Sequence, residues 1–258
     1  MKKLVVTLAV FAAAAFATTV FAANDQVKGT PHDLSVGTAN LIHGNDVEIC
    51  IYCHTPHHAN ASAKSGTEYA PLWNRKVGGA AAGTGTYVAT YTMYNSTYSP
   101  TINMTVAATP NGISLACLSC HDGQLALGDI LNGYNASAPD LVLPDTMTDG
   151  NVPAVLDATG KFLPGSTPYV GQDLTGSHPI SITYDPTVMP NDFNAIKTDA
   201  AGDYLTANAS DRIPLYGSGA SKDQVECASC HNPHNHTYND FLRTDNTSSA
   251  LCTACHIK

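Results

Sequence analysis

The chain is poor in charged residues. Only 13% of its 258 residues are Asp, Glu, Lys or Arg, about half the usual share in soluble proteins. Acidic side chains outnumber basic ones by 21 to 12, which gives a formal net charge of -9 at pH 7. Recognition of DNA or RNA requires clustered Lys and Arg against the phosphates. The composition therefore excludes a nucleic-acid partner.

Long hydrophobic runs are equally scarce. The one extended apolar run covers residues 4–21, directly after Lys2 and Lys3, and it ends in small residues. This pattern is typical of a cleaved secretory signal peptide. No second apolar span follows that is long enough to cross a bilayer. We therefore expect a signal peptide over 1–22, a single domain over 23–258, export from the cytoplasm and no transmembrane span.

Large apolar side chains are few, since aromatic residues make up 7% of the chain and there is one Trp. The sequence also lacks the glycine-rich phosphate and dinucleotide loops, the G-x-S-x-G elbow and the H-E-x-x-H zinc motif. These absences remove the common nucleotide-dependent, hydrolase and zinc-protease classes. They also indicate that something other than a large aliphatic core organises the fold.

Cysteine and histidine are the residues in excess, at 8 and 11 copies. All cysteines fall into four C-x-x-C pairs, and a histidine follows each pair at once. Disulfides, zinc ribbons and thioredoxin-like sites use such pairs, but none of them needs that histidine. Covalent attachment of haem c does need it, because the thiols bond the haem and the histidine binds the iron. The attachment cysteines are Cys50, Cys53, Cys117, Cys120, Cys227, Cys230, Cys252 and Cys255, and the proximal histidines are His54, His121, His231 and His256.

The sequence thus predicts four covalently bound haem c groups. Burial of such large apolar plates favours collapse of the chain around them. We expect a haem-organised multihaem cytochrome c fold, mostly irregular, with short helices and few short strands. Locally, the pattern predicts a strand or hairpin within 86–106, a short helix over 122–134 and a strand over 180–184.

Four six-coordinate haems need four further axial ligands, and seven histidines remain to supply them. His57 and His234 each stand three residues after a proximal histidine, with a stiffening proline between. We expect each of them to bind a neighbouring haem rather than its own, with His58 and His236 as adjacent alternatives. His32 and His178 lie in isolated loop-like stretches and are further candidates, whereas His43 equally suits a surface role.

Several segments resemble the multihaem cytochromes of the doubled C-x-x-C-H type. They are HDLS at 32–35, CIYCHTPH at 50–57, CLSCHDG at 117–123, SHPI at 177–180 and CASCHNPH at 227–234. With four motifs and an export signal, the chain is similar to the tetrahaem extracellular cytochrome filaments of metal-reducing bacteria. The resemblance implies stacked bis-histidine haems, with His32, His57, His178 and His234 as distal ligands. It also implies that one haem takes its distal histidine from the adjacent subunit, with His57 as the donor.

These expectations describe an electron-transfer protein rather than an enzyme, because two histidines on each iron leave no position for a substrate. The resemblance implies a homopolymeric conductive filament at the cell surface, with redox partner cytochromes and extracellular electron acceptors. Two alternatives remain from the residues alone. One is a monomeric periplasmic tetrahaem shuttle, and the other is a multihaem reductase with one open haem.

Overall fold

Irregular backbone and turns dominate the chain. The computed structural model describes residues 27–38, 40–65, 68–70, 72–83, 85–94, 104–133, 148–149, 155–206, 211–217 and 222–257. Within these ranges the helices and strands are short, which confirms the prediction of a mostly irregular chain. No helix there is long and apolar enough to cross a membrane. The predicted signal peptide over 1–22 lies outside the described residues.

The strands are two to four residues long and pair into small, separate sheets. They are β1 Ile42–His43, β2 Lys64–Ser65, β3 Glu68–Tyr69, β4 Val77–Gly79, β5 Thr86–Val88, β6 Thr148–Asp149, β7 Ile182–Thr183, β8 Lys197–Asp199, β9 Gly202–Leu205, β10 Ile213–Pro214 and β11 Gln224–Val225. The antiparallel pairs are β1 with β6, β2 with β3, β7 with β11 and β9 with both β8 and β10, whereas β4 and β5 pair in parallel. The predicted strand over 180–184 is confirmed as β7. Only β5 forms at the start of the stretch 86–106, part of which lies outside the described residues.

The helices carry the haem-attachment motifs. Helix α1 spans Gly112–His121, α2 spans Cys227–Cys230 and α3 spans Ala250–Cys255. Short 3-10 turns cover Asn239–Phe241 and Thr247–Ser249. A helical turn brings residues three apart to the same side, so it presents both cysteines of a motif together. The first motif, at residues 50–54, is built from turns instead.

The predicted helix over 122–134 is wrong, because residues 122–133 form turns and irregular backbone after α1 has ended. The amide of Asp122 closes the helix by donating to the Leu118 carbonyl oxygen at 3.0 Å. Gly123 then takes φ +70, the left-handed conformation that commonly terminates helices. The apolar spacing that suggested a helix has another cause, since Leu127 and Ile130 are buried by loop packing.

Buried apolar side chains form small separate clusters in the described part of the chain. The largest contains Ile182, Tyr184, Leu205, Ile213, Leu215, Val225 and Ala254. Ala254 belongs to α3, and two further clusters include Ala116 and Leu118 of α1. The apolar packing therefore anchors the motif helices individually and leaves the space between them to be organised by other means.

Candidate haem centres

The eight cysteines all carry free thiols, so none is used in a disulfide. We number the motifs along the chain: motif 1 at 50–54, motif 2 at 117–121, motif 3 at 227–231 and motif 4 at 252–256. Each retains the two sulfurs and the imidazole that haem attachment requires.

Motifs 1, 2 and 3 are neighbours in space. Burial raises the pKa of the Cys53 thiol to about 12, and the next cause is Cys120 of motif 2. The Cys117 thiol of motif 2 and the Cys227 thiol of motif 3 also interact, which raises the pKa of Cys117 and lowers that of Cys227. The Cys227 amide donates to Ser114 Oγ in α1, the helix of motif 2, at 3.0 Å. Motif 2 therefore lies close to both motif 1 and motif 3.

The remaining motif, motif 4, is a neighbour of motif 3. Burial raises the pKa of Cys230 to about 11, with Cys227 as the next cause and Cys252 of motif 4 as a further one. Burial likewise raises the pKa of Cys255 to about 12, and its first charged neighbour is Cys230. Motif 4 therefore lies close to motif 3.

Three proximal histidines face a second imidazole from a distant part of the chain. The ring centroids of His121 and His32 are 6.2 Å apart, with an interplanar angle of 85°. His54 and His234 lie 6.0 Å apart at 19°. Two imidazoles on opposite sides of one metal ion, each bound at about 2.0 Å, have centroids about 6 Å apart. These two pairs therefore fit the axial ligands of an iron.

The third pair has the same spacing. His256 of motif 4 and His178 have ring centroids 6.4 Å apart at 74°. In the pair with His121, the second imidazole belongs to His32, 89 positions upstream. The two histidines of each other pair are also far apart in the sequence. The donor set of two thiols and two imidazoles therefore fits a covalently attached, bis-histidine haem at motifs 1, 2 and 4.

Burial favours the neutral, metal-binding form of four imidazoles in these pairs, those of His32, His121, His234 and His256. Burial, followed by the charge of His121, lowers the pKa of His32 to about 4. Burial also lowers the pKa of His121, whose Nδ1 lies 2.7 Å from the Pro168 carbonyl oxygen. A backbone oxygen at Nδ1 fixes the tautomer and orients Nε2 towards a metal. Burial similarly lowers the pKa of His234 and of His256.

Motif 3 differs from the other three. The Nδ1 of its histidine, His231, lies 2.6 Å from the Asp240 carbonyl oxygen, which orients the ring in the same way. All eleven histidines are among the described residues, and none forms a ring contact with His231. His57 and His58 are exposed beside motif 1 and face no proximal histidine there. The structure thus brings His32, His178 and His234 to proximal histidines, and leaves His57 apart from them.

The two remaining histidines lie elsewhere. His43 is in β1, with its Nδ1 3.1 Å from the Gly44 carbonyl oxygen. His236 packs against the ring of Phe241 at 4.8 Å, and Phe241 also stacks on His32 at 4.3 Å. Phe241 therefore buttresses one imidazole of the pair at motif 2. At motif 1, Trp73 gives His54 an edge-on contact at 5.7 Å.

Glu226 is a site residue that the sequence interpretation missed. Its side chain is only 1% exposed, directly before Cys227, and its Oε2 accepts hydrogen bonds from the hydroxyls of Ser114 in α1 and Ser181 before β7. Burial raises its pKa. Ser114 Oγ also accepts from the Cys227 amide at 3.0 Å. Glu226 thereby ties motif 3 to the helix of motif 2, and its position before the motif is the sole signal in the sequence.

Comparison with known families finds the doubled CXXCH motif family over residues 219–258. This match contains motifs 3 and 4 and is typical of multihaem c-type cytochromes. It supports covalent attachment of haem c and electron transfer as the chemistry of this chain. A comparison with curated proteins finds no significant match.

Proposed function

We propose that this chain is a tetrahaem c-type cytochrome whose copies join end to end into an exported, electron-conducting filament. One observation carries the proposal: three of the four proximal histidines already face a second imidazole at 6.0–6.4 Å, whereas His231 faces none and His57 stands exposed. An acceptor site at motif 3 and an exposed spare donor beside motif 1 are what a self-propagating contact between copies requires.

The arrangement of the motifs supports conduction. Haem iron supplies reversible one-electron chemistry when it is bound. The protein contributes proximity, since the cysteines of each motif lie close enough to those of a neighbouring motif to shift their pKa. The imidazole pairs at motifs 1, 2 and 4 would hold the iron of a bound haem from both sides, which would leave no position for a substrate there. An electron entering at one motif is passed to its neighbour.

The contact between copies is heterologous in this proposal. His57 lies beside motif 1, whereas His231 belongs to motif 3, so a donor at one place meets an acceptor at another. Such a contact does not close on itself, and repetition generates an open filament. His58 adjoins His57, is equally exposed and has a positive φ of 55. It is the alternative donor from the same edge of the molecule.

A second function shares the same observation. If no copy supplies an imidazole, the haem at His231 has one free axial position, which is the requirement for a multihaem reductase. A monomeric shuttle would instead draw the missing ligand from within the chain, with His236, which follows motif 3 in the sequence, as its candidate.

Substitution of the spare histidines distinguishes these functions. We expect His57→Met to abolish or shorten filaments in electron micrographs of the secreted protein, with all four haems still attached by mass spectrometry. Paramagnetic resonance should then show one altered haem in four. His236→Met is the matched control, and it should leave filaments and spectra unchanged.

Other outcomes assign the alternatives. Loss of filaments in His58→Met but not in His57→Met would move the donor by one residue. An altered haem in His236→Met alone, in a protein that sediments as a monomer at every concentration, would refute the filament and favour the shuttle. A high-spin haem in the native secreted material would favour the reductase.

A further inference from the structure

A buried cation lies between motifs 1 and 2 and has no carboxylate partner among the described residues. Arg75 is 0% exposed. Its Nη2 donates to the carbonyl oxygens of Ala126 at 2.8 Å and Ser119 at 3.1 Å, and its Nη1 donates to that of Leu127. An arginine stays charged at every physiological pH, and burying such a charge is costly unless an anion compensates it.

The compensation provided by the chain is incomplete. Carbonyl dipoles, including Ser119 at the carboxyl end of α1, neutralise part of the charge. The Nε of Arg75 is nevertheless buried without a hydrogen-bond partner in the described structure. The indole Nε1 of Trp73, two residues earlier, is in the same condition. Two buried N–H donors, the Nε of the Arg75 cation and the Nε1 of Trp73, thus lack a hydrogen-bond acceptor in the described structure.

The position of these two donors indicates which chemical group accepts their hydrogen bonds. Asn74, between the two donors, gives its amide hydrogen to the Cys53 carbonyl oxygen at 2.8 Å. Ser119, which binds Arg75, immediately precedes Cys120 of motif 2. The charge of Arg75 also acts on both Cys53 and His121. Haem carries two propionate carboxylates, and a guanidinium is the side chain best suited to bind a carboxylate.

We infer that Arg75 is a positioning residue that holds a haem propionate at the junction of motifs 1 and 2, assisted by the Trp73 indole, and that its charge raises the reduction potential of the haem there. This inference rests on haem attachment at those two motifs. A buried positive charge favours the reduced iron, because reduction removes one positive charge from the centre. Arg75 thereby sets a step in potential among the motifs.

Redox titration of the fully haem-loaded protein tests this inference. Arg75→Gln should lower the reduction equilibrium constant of at least one haem tenfold or more, about 59 mV for one electron. Arg75→Lys keeps the charge and should change it less than threefold. Arg212→Gln is the matched control: it removes the same charge from a partly exposed pair with Asp199 and should shift no haem by more than twofold.

Equal shifts in Arg75→Gln and Arg212→Gln, or in Arg75→Gln and Arg75→Lys, would overturn the inference. If Arg75→Gln does not retain its haems, Arg75→Lys carries the test through infrared redox difference spectra of protein labelled with ¹³C at the haem propionates. A propionate band displaced from its native position supports the contact, and an unchanged band overturns it. Intact-mass measurement distinguishes failure of this inference from failure of the proposed function. Haem missing from motif 1 or 2 of the native protein refutes the proposed function. Full haem loading with unshifted potentials refutes the role of Arg75 alone.

Discussion

Replacing Ser114 by alanine should destabilise the chain because this hydroxyl joins two motifs. Ser114 is fully buried in α1, donates to the Glu226 carboxyl group and accepts from the Cys227 amide at 3.0 Å. Loss of the first bond costs about 0.5–1.5 kcal/mol, and an amide left without an acceptor costs about 1–3 kcal/mol. The expected loss in unfolding free energy is therefore about 2–4 kcal/mol.

Ser119→Ala is the matched control on the same helix. Ser119 is equally buried, but its hydroxyl donates only to the Ala116 carbonyl oxygen, one turn earlier, at 2.6 Å. Its removal should cost about 0.5–1.5 kcal/mol. Urea titration at neutral pH, followed by fluorescence of the single tryptophan, Trp73, reports the unfolding of both variants. Trp73 contacts His54, so its emission is quenched by haem in the folded state and recovers on unfolding.

The comparison refutes the role of Ser114 if the two variants lose the same stability within about 0.5 kcal/mol, the uncertainty of such additivity arguments. Ser114 would then be an ordinary buried helix residue. The contact between motifs 2 and 3 would then depend on their cysteine side chains alone.

Two further predictions concern the same region. Burial raises the pKa of Glu226 above its usual 4.5, so the contribution of Glu226 to stability is full below pH 4.5 and is lost as pH rises through the raised pKa. Glu226→Gln should remove this decline in stability. An unfolding free energy of the variant that falls with pH as steeply as in the native protein would contradict the prediction. Gly123→Ala should cost about 2–3 kcal/mol in urea titrations, because φ is +70 and a Cβ would lie 2.5 Å from the Tyr169 ring. A cost below about 1 kcal/mol would show that the turn after α1 adapts.

The attachment residues remain a prediction, and the sequence suffices to make it because their chemistry is local. Two thiols and an imidazole within five residues form a site that no distant element needs to complete. The irregular fold was predictable for a related reason, since few large apolar side chains are present to build an extended core. The helix of motif 2 was misplaced because apolar spacing after His121 resembled a helix face, whereas Asp122 and Gly123 end the helix.

The pairing of imidazoles could not be predicted from the residues in the same way. His32 meets His121, and His178 meets His256, only because intervening loops return to the motif helices. Nor does the sequence mark Arg75 or Glu226, each a single charged residue in a chain with few charges. Their importance follows from burial and from unpartnered atoms, which are properties of the folded chain.

The central claim is that four haems are bound to this one chain, three with both axial histidines from within it and one completed from outside. Intact-mass spectrometry of the secreted protein, followed by paramagnetic resonance of the dissociated monomer, tests it most directly. We expect four covalent haem additions and no free thiols, with three bis-histidine signals and one distinct haem that becomes bis-histidine on assembly. Fewer than four additions, or four identical bis-histidine haems in the monomer, would contradict it.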